Sequence, residues 1–243
     1  LRLRLRKFNF SFIDKEKGKL RLSLFCFLSA VILSACTSKP EVGVISEVEK
    51  PTFIPDSLRY NTEIWDKEKI RSEMKNGDIV LKRGDGSISR IVVSVLAEEQ
   101  PLSHCAIVIK KEGAEFLLHS LSSTVSDLDG VQSIPLDSFI RDTRPFSFHL
   151  LRHKDSAIAD RASDIALYYL EQKIPFDLDY VLTDDTAAFY CTEFVYKTYL
   201  EASGKEIFQL SQVQMGEILG FNAILEDDDF ELLNRRAAEV TTE

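Results

Sequence analysis

Cys191, His104 and His119 are the side chains in this sequence best suited by type and spacing to carry a reaction together. The 243 residues hold four cysteines and four histidines. Cys191 opens the stretch CTEFVYKTYLEA, which reads as a helix closed by Gly204. A helix N-terminus presents unpaired backbone N–H groups and the positive end of the macrodipole. Both favour thiolate over thiol, and the same N–H groups can hold an oxyanion beside the sulfur. The position therefore suits a nucleophile that attacks carbonyl carbon. A thiol also needs a partner that takes and returns its proton, and a histidine is the usual one.

Two histidines occupy one predicted hairpin. HCAIVIK (104–110) and EFLLHSL (115–121) flank a turn at 111–114. With a two-residue turn at Glu112-Gly113, Lys111 pairs with Ala114 and Ala106 pairs with His119. His104 then shares a face with His119, one diagonal step away and within imidazole reach. A slip of one residue would separate them to opposite faces. Cys105 alternates to the face opposite His104 and reads as a small core residue. Both rings are expected to point toward Cys191.

Other groups near these three have more modest expected parts. Tyr190 either donates to an oxyanion or packs. Glu193 either bonds backbone near the helix start or complements the dipole. Asp177, with Asp184 and Asp185, either lines a cleft or belongs to a solvated acidic loop. His149 and His153 flank a strand end and read as incidental. The histidines lack helical ligand spacing and there is no CxxC, so no metal or cofactor is called for. The competing view of Cys191 is an inert core thiol, and the histidine hairpin argues against it.

The elements that must position these residues are legible in outline. A short amphipathic helix is expected around 63–75, before Asn76-Gly77. DIVLKR (78–83) reads as a strand, and 87–97 is apolar at helical spacing. Residues 122–145 read as loop with a short helix near 135–141, and 146–152 as a further strand. Residues 156–172 carry a long amphipathic helix. Residues 175–186 read as acidic loop, and the C-terminal stretch as polar and peripheral.

The N-terminus has a separate logic. Eight basic residues against Asp14 and Glu16 precede an apolar run, LSLFCFLSAVIL (22–33), too short to span a bilayer as a stable helix. Leu33-Ser34-Ala35-Cys36 follows and resembles the lipobox of bacterial lipoproteins. The resemblance implies a signal peptide over 1–35, lipidation at Cys36 and attachment to a membrane of the cell envelope, on the periplasmic or outer-surface side. Residues 36–60 read as a tether and 61–243 as one domain. The leader contributes +6 to a whole-chain charge of −9, which leaves about −15 for the rest. Such an acidic body has no electrostatic reason to bind nucleic acid.

Three blocks in order carry a second resemblance. They are Gly77-Asp78 opening a strand, Ser103-His104 opening a strand, and Tyr190-Cys191-Thr192-Glu193 opening a helix. The sequence from about 74 to 215 resembles the circularly permuted NlpC/p60 papain-like hydrolases of the YiiX/YebB kind. That resemblance implies an α+β fold in permuted papain-like order, with a small antiparallel sheet packed against helices. It implies Cys191 as nucleophile and His104 as base, with His119 at the place of the third triad member. Thr192 stands where serine is usual, and Cys105 where an apolar residue is usual. The implied substrates are amide bonds, foremost those of cell-wall peptides. Lipid acyl-ester hydrolysis or acyl transfer is the alternative chemistry, and a non-catalytic envelope binding module the alternative role.

Overall fold

The structure, a computed structural model, describes residues 66–182, 187–213 and 216–234. The expected signal peptide, Cys36, the tether, the start of the domain at 61–65, and Asp184 and Asp185 lie outside the described residues.

Helix α1 spans Lys67–Glu73 and is followed by β1, Ile79–Gly84. Helix α2 (Ser87–Leu96) leads to the hairpin β2 (His104–Lys111) and β3 (Ala114–Leu121). Next come β4 (Gly130–Pro135), α3 (Leu136–Ile140) and β5 (Thr143–His153). Helices α4 (Ser156–Gln172) and α5 (Cys191–Ser203) follow. The chain then runs through β6 (Ser211–Val213), β7 (Gly216–Ile218), α6 (Phe221–Leu225) and β8 (Phe230–Leu232). Among the described residues no helix is long and apolar enough to cross a membrane.

Six strands form one antiparallel sheet in the order β4-β3-β2-β1-β5-β8, and β6 and β7 pair separately. Strand alternation sorts the side chains into two cores. Ile79, Leu81, Cys105, Ile107, Ile109, Leu118 and Leu151 face α4 and α5, meeting Tyr169, Phe194, Val195 and Tyr199. Val80, Ala106, Val108, Leu117 and Leu150 face the other way, toward Ile70 and Met74 near α1 and Leu136 and Phe139 of α3. The central strands are covered on both sides, which explains their nearly unbroken apolar runs.

Local chemistry fixes several ends. Asp66 accepts the Lys69 N–H at 2.7 Å and caps α1, a contact worth about 1 kcal/mol. Asp155 caps α4 through the Ala157 N–H at 2.9 Å. Gly204, at φ +72°, closes α5 as its place in the sequence predicts. Gly77 is held at φ +78° so close to α4 that a Cβ there would lie 2.1 Å from the Ala159 carbonyl oxygen. Its neighbour Asp78 accepts from Arg152 at 2.9 and 2.7 Å and from the Lys75 N–H at 2.7 Å. The Gly-Asp pair is thus a structural clamp between β1, β5 and α4.

Two expectations need correction. Residues 130–135, read as loop, form β4 and pair with β3 from Leu121↔Gly130 to Phe116↔Pro135. The C-terminal stretch is not peripheral: Phe221 and Ile224 are buried, and β8 pairs with β5 at the sheet edge. In both, a few apolar residues among polar ones find partners far away in sequence, which local pattern does not reveal.

Candidate active site

The hairpin turn places Glu112 at φ +53° and Gly113 at φ +79°. Both central residues are left-handed, as a two-residue turn matching strand twist requires. Pairing runs from Lys111↔Ala114 to Ile107↔Leu118, the expected register. His104 and His119 therefore share a face, and His104 Nε2 lies 2.7 Å from His119 Nδ1. Phe139 walls both rings, with centroids 5.7 Å from His104 and 6.1 Å from His119.

Lys82 pairs with His104 across β1 and β2 and is nearly buried beside the two rings. Its Nζ donates to the Phe139 carbonyl at 2.6 Å and to Asp142 at 2.5 Å, 4.3 Å from the Phe139 ring centroid. Burial, the His119 ring and the Lys82 charge hold the His104 pKa well below the ordinary histidine value. Burial, then Lys82, lowers His119 to about 4, against an opposing pull from Asp142. Both rings are therefore neutral near pH 7.

Cys191 is the first residue of α5. Beyond Ile107↔Leu118 the Ser120 hydroxyl donates to the Phe189 carbonyl at 2.5 Å, which ties the start of α5 to β3. The helix N-cap is Tyr190, which has no carboxylate, amide or small hydroxyl to take the first-turn N–H groups. The Cys105 thiol is the largest influence lowering the Cys191 pKa; burial opposes it, and the backbone N–H groups of Thr192, Cys191 and Cys105 add to it. The Cys105 thiol is pushed well up, first by burial and then by Cys191.

One part of the expected geometry is corrected here. His104 and His119 do lie on one face of the hairpin, but that face is covered by Phe139 rather than by α5. Cys191 packs against the opposite core, which also holds Cys105, the residue after His104. Strand alternation is the reason: consecutive residues 104 and 105 point to opposite faces. None of the hydrogen bonds among the described residues joins His104 to Cys191. His104 Nδ1 likewise makes none, while Nε2 is engaged by His119.

The supporting residues divide clearly. Glu193 is fully buried and accepts the Tyr190 N–H at 3.4 Å, the backbone-bonding part expected of it. The Tyr190 hydroxyl is buried without a hydrogen-bond partner. Both oxygens of Asp177 accept backbone N–H groups, from Asp179 at 2.8 Å and Val181 at 3.0 Å. That carboxylate braces its own loop, which holds the Tyr180 ring 5.6 Å from the Tyr190 ring. Ser103 accepts the Gly84 N–H at 3.0 Å and pins the end of β1 beside His104. His149 and His153 are buried in β5, away from the hairpin face that bears His104.

Residues 73–222 match a family described as permuted papain-like amidase enzymes, the YaeF/YiiX or C92 family. The chain belongs to this family. It is accordingly a cysteine hydrolase of the amidase type, with the permuted papain-like α+β fold. A crystal structure of the metalloprotein yiiX from Escherichia coli O157:H7 superposes with a TM-score of 0.54 at 16% identity. The match covers 68% of this chain and 98% of that one. No curated protein sequence matches. Among the described residues of this amidase, no group of three or more His, Cys, Asp or Glu is placed to hold a metal ion.

Cys105 is a buried core residue with a raised thiol pKa, as its alternation predicts, and one neighbour of the site is not legible in the sequence. Lys82 lies in a strand of otherwise ordinary pattern. Only its register opposite His104 gives it meaning.

Proposed function

We propose that Cys191 is the nucleophile of this amidase, His104 its proton carrier and His119 the residue that orients His104. The observation that carries the reading is Cys191 as the first residue of α5, with its thiol pKa lowered. A helix start stabilises thiolate without a buried countercharge. His104 Nε2–H donating to His119 Nδ1 leaves Nδ1 of His104 as the basic nitrogen, and taking the thiol proton requires that ring and the Cys191 sulfur to close on each other around the start of β2 when substrate binds.

The sulfur then bonds the carbonyl carbon of the substrate. N–H groups of the first turn of α5, with the Tyr190 hydroxyl beside them, steady the oxyanion. The C–N bond breaks as His104 returns the proton to the departing nitrogen. Water, deprotonated by His104, releases the acyl group and restores the thiol. The substrate we propose is an amide bond of cell-wall peptides, met by a protein lipidated at Cys36 and held at an envelope membrane. Metabolic labelling with a fatty acid should mark the chain and fail to mark Cys36→Ala.

The acyl-ester reading has one observation in its favour. Leu178 and Tyr180, on the loop over Tyr190, are 61% and 42% exposed and give the rim an apolar character. Incubation of the purified chain with cell-wall peptides and, separately, with phospholipid acyl esters decides between them. Peptide products that vanish with Cys191→Ala support the amidase substrate. Fatty-acid release with intact peptides would replace it.

A further inference from the structure

Helix α2 turns an apolar side to solvent. None of its residues is buried, and only Val92 and Leu96 lean on the core. Ile88, Ile91 and Val95 share one face by their spacing and are 49%, 53% and 67% exposed. Arg90 is the single charged residue of the helix.

The start of β5 lies against the same end of the sheet. Gly84 pairs with Thr143, and the Asp85 N–H donates to the Asp142 carbonyl at 3.0 Å. The Arg83 N–H donates to Ser147 Oγ at 3.3 Å. Beside these bonds Phe146 is held at φ +60°, which a bulky residue rarely adopts, and is 58% exposed. A second apolar side chain set thus projects next to the first turn of α2.

Charge distinguishes this end from the rest of the molecule. Segments 82–96 and 141–146 hold five basic residues against Asp85 and Asp142, a net +3 in a chain of −9. Both acids are already engaged, Asp142 by Lys82 at 2.5 Å and Asp85 by Arg144 at 2.8 Å. The excess positive charge faces outward at Arg90 and Arg141, which are exposed.

We propose that the exposed face of α2, with the start of β5, is a docking surface for the anionic phospholipid face of a bilayer. The isoleucines, Val95 and Phe146 enter between headgroups, and the arginines meet phosphates. The proposal deepens the reading of Cys36 as lipidated. The 29 residues between Cys36 and Asp66 can span about 100 Å at most, so that tether alone leaves the domain unoriented. It also keeps the bilayer at high effective concentration, so that a modest surface suffices to orient the domain. Strand β1 ends where β2 begins: Lys82 pairs with His104, and Ser103 Oγ accepts the Gly84 N–H at 3.0 Å. Docking therefore turns the His104 end of the sheet toward the membrane.

The experiment follows hydrogen–deuterium exchange of the full chain carrying Cys36→Ala, alone and with vesicles of phosphatidylglycerol or phosphatidylcholine. Peptides covering 87–97 and 141–147 should exchange several-fold more slowly with phosphatidylglycerol. They should return to the free rate with phosphatidylcholine or at high salt. Joint replacement Ile88→Ser, Ile91→Ser and Val95→Ser should abolish the protection and leave exchange in β1 and β2 unchanged. Arg90→Gln with Arg141→Gln should weaken it. Unchanged exchange of both peptides with phosphatidylglycerol, or protection that survives the serine replacements, overturns the proposal. Protection without vesicles that grows with protein concentration assigns the face to a second copy of the chain and overturns it too. Fatty-acid labelling of the unaltered chain is read separately, so an unlabelled Cys36 sinks the tether while exchange still decides the surface.

Discussion

His104 Nε2 and His119 Nδ1 lie 2.7 Å apart, so the tautomer of one ring dictates that of the other. A proton on His104 Nε2 requires a bare Nδ1 on His119, which puts the second proton on His119 Nε2. That atom is buried and has no hydrogen-bond partner. In that tautomer His104 Nδ1 is the free base, and one buried donor is left unsatisfied.

Replacing His119 therefore separates orientation from packing. His119→Asn keeps an acceptor for His104 Nε2–H, whereas His119→Leu removes it. Leucine should lower kcat by about two orders of magnitude, with asparagine in between. His104→Ala should lose about two to four orders of magnitude. Steady-state kinetics on the cleaved substrate check the ranking; equal rates for leucine and asparagine would deny His119 its orienting part.

The Cys191 thiol titrates according to its donors. The Cys105 thiol is the largest influence lowering it, so Cys105→Ala should raise its pKa. Rates of iodoacetamide alkylation against pH should shift toward higher pH in that variant. The substitution should cost no more than roughly 1 kcal/mol of stability, being a small core deletion. An unmoved alkylation profile would mean that the backbone N–H groups alone set the thiolate.

Lys82 acts on the histidines from the neighbouring strand, on the same face of the sheet. Its charge lowers both His104 and His119. Lys82→Met should raise both pKa values and move the acid limb of the kcat/KM profile to higher pH. The loss of the Asp142 and Phe139 carbonyl contacts calls for thermal unfolding of the same variant, so that a folding defect is told apart from the shift.

Stability should fall with acid for a related reason. His119 and His149 are both lowered to about 4 by burial. Between the unfolded value near 6.5 and that folded value, the unfolded chain binds more protons than the folded one. The stabilisation is whole above about pH 6.5 and is lost as pH drops toward 4, up to about 3 kcal/mol for each ring. Urea unfolding at pH 7, 5.5 and 4.5 measures the slope. His149→Phe, outside the catalytic group, should flatten it.

The hairpin was legible because its turn is short and its residues local. Glu112-Gly113 fixes the register, and the register fixes the histidine pair. The start of α5 was legible because Cys191, the helical spacing after it and Gly204 all lie in one stretch. The approach of α5 to the sheet was not. Whether Cys191 shares a sheet face with His104 or with Cys105 depends on which face a helix covers, and the apolar residues on both faces of β2 permit either. Strand β4 was hidden because GVQSIP has no sustained alternation, and only β3 completes it. Lys82 reads as a solvated strand end until Phe139 and Asp142 close over it.

Where β2 and β3 part, the two halves of the site come from contacts of very different reach. His104 and His119 are 15 residues apart, while the Ser120–Phe189 bond that seats α5 spans 69. Short loops close early and long ones late. The imidazole pair can assemble as soon as the hairpin has left the ribosome, whereas the sulfur arrives only after α4 and the loop behind it have been made. A nascent chain halted anywhere before α5 holds its proposed base but not its proposed nucleophile. On that reading hydrolysis cannot begin until α5 has been synthesised.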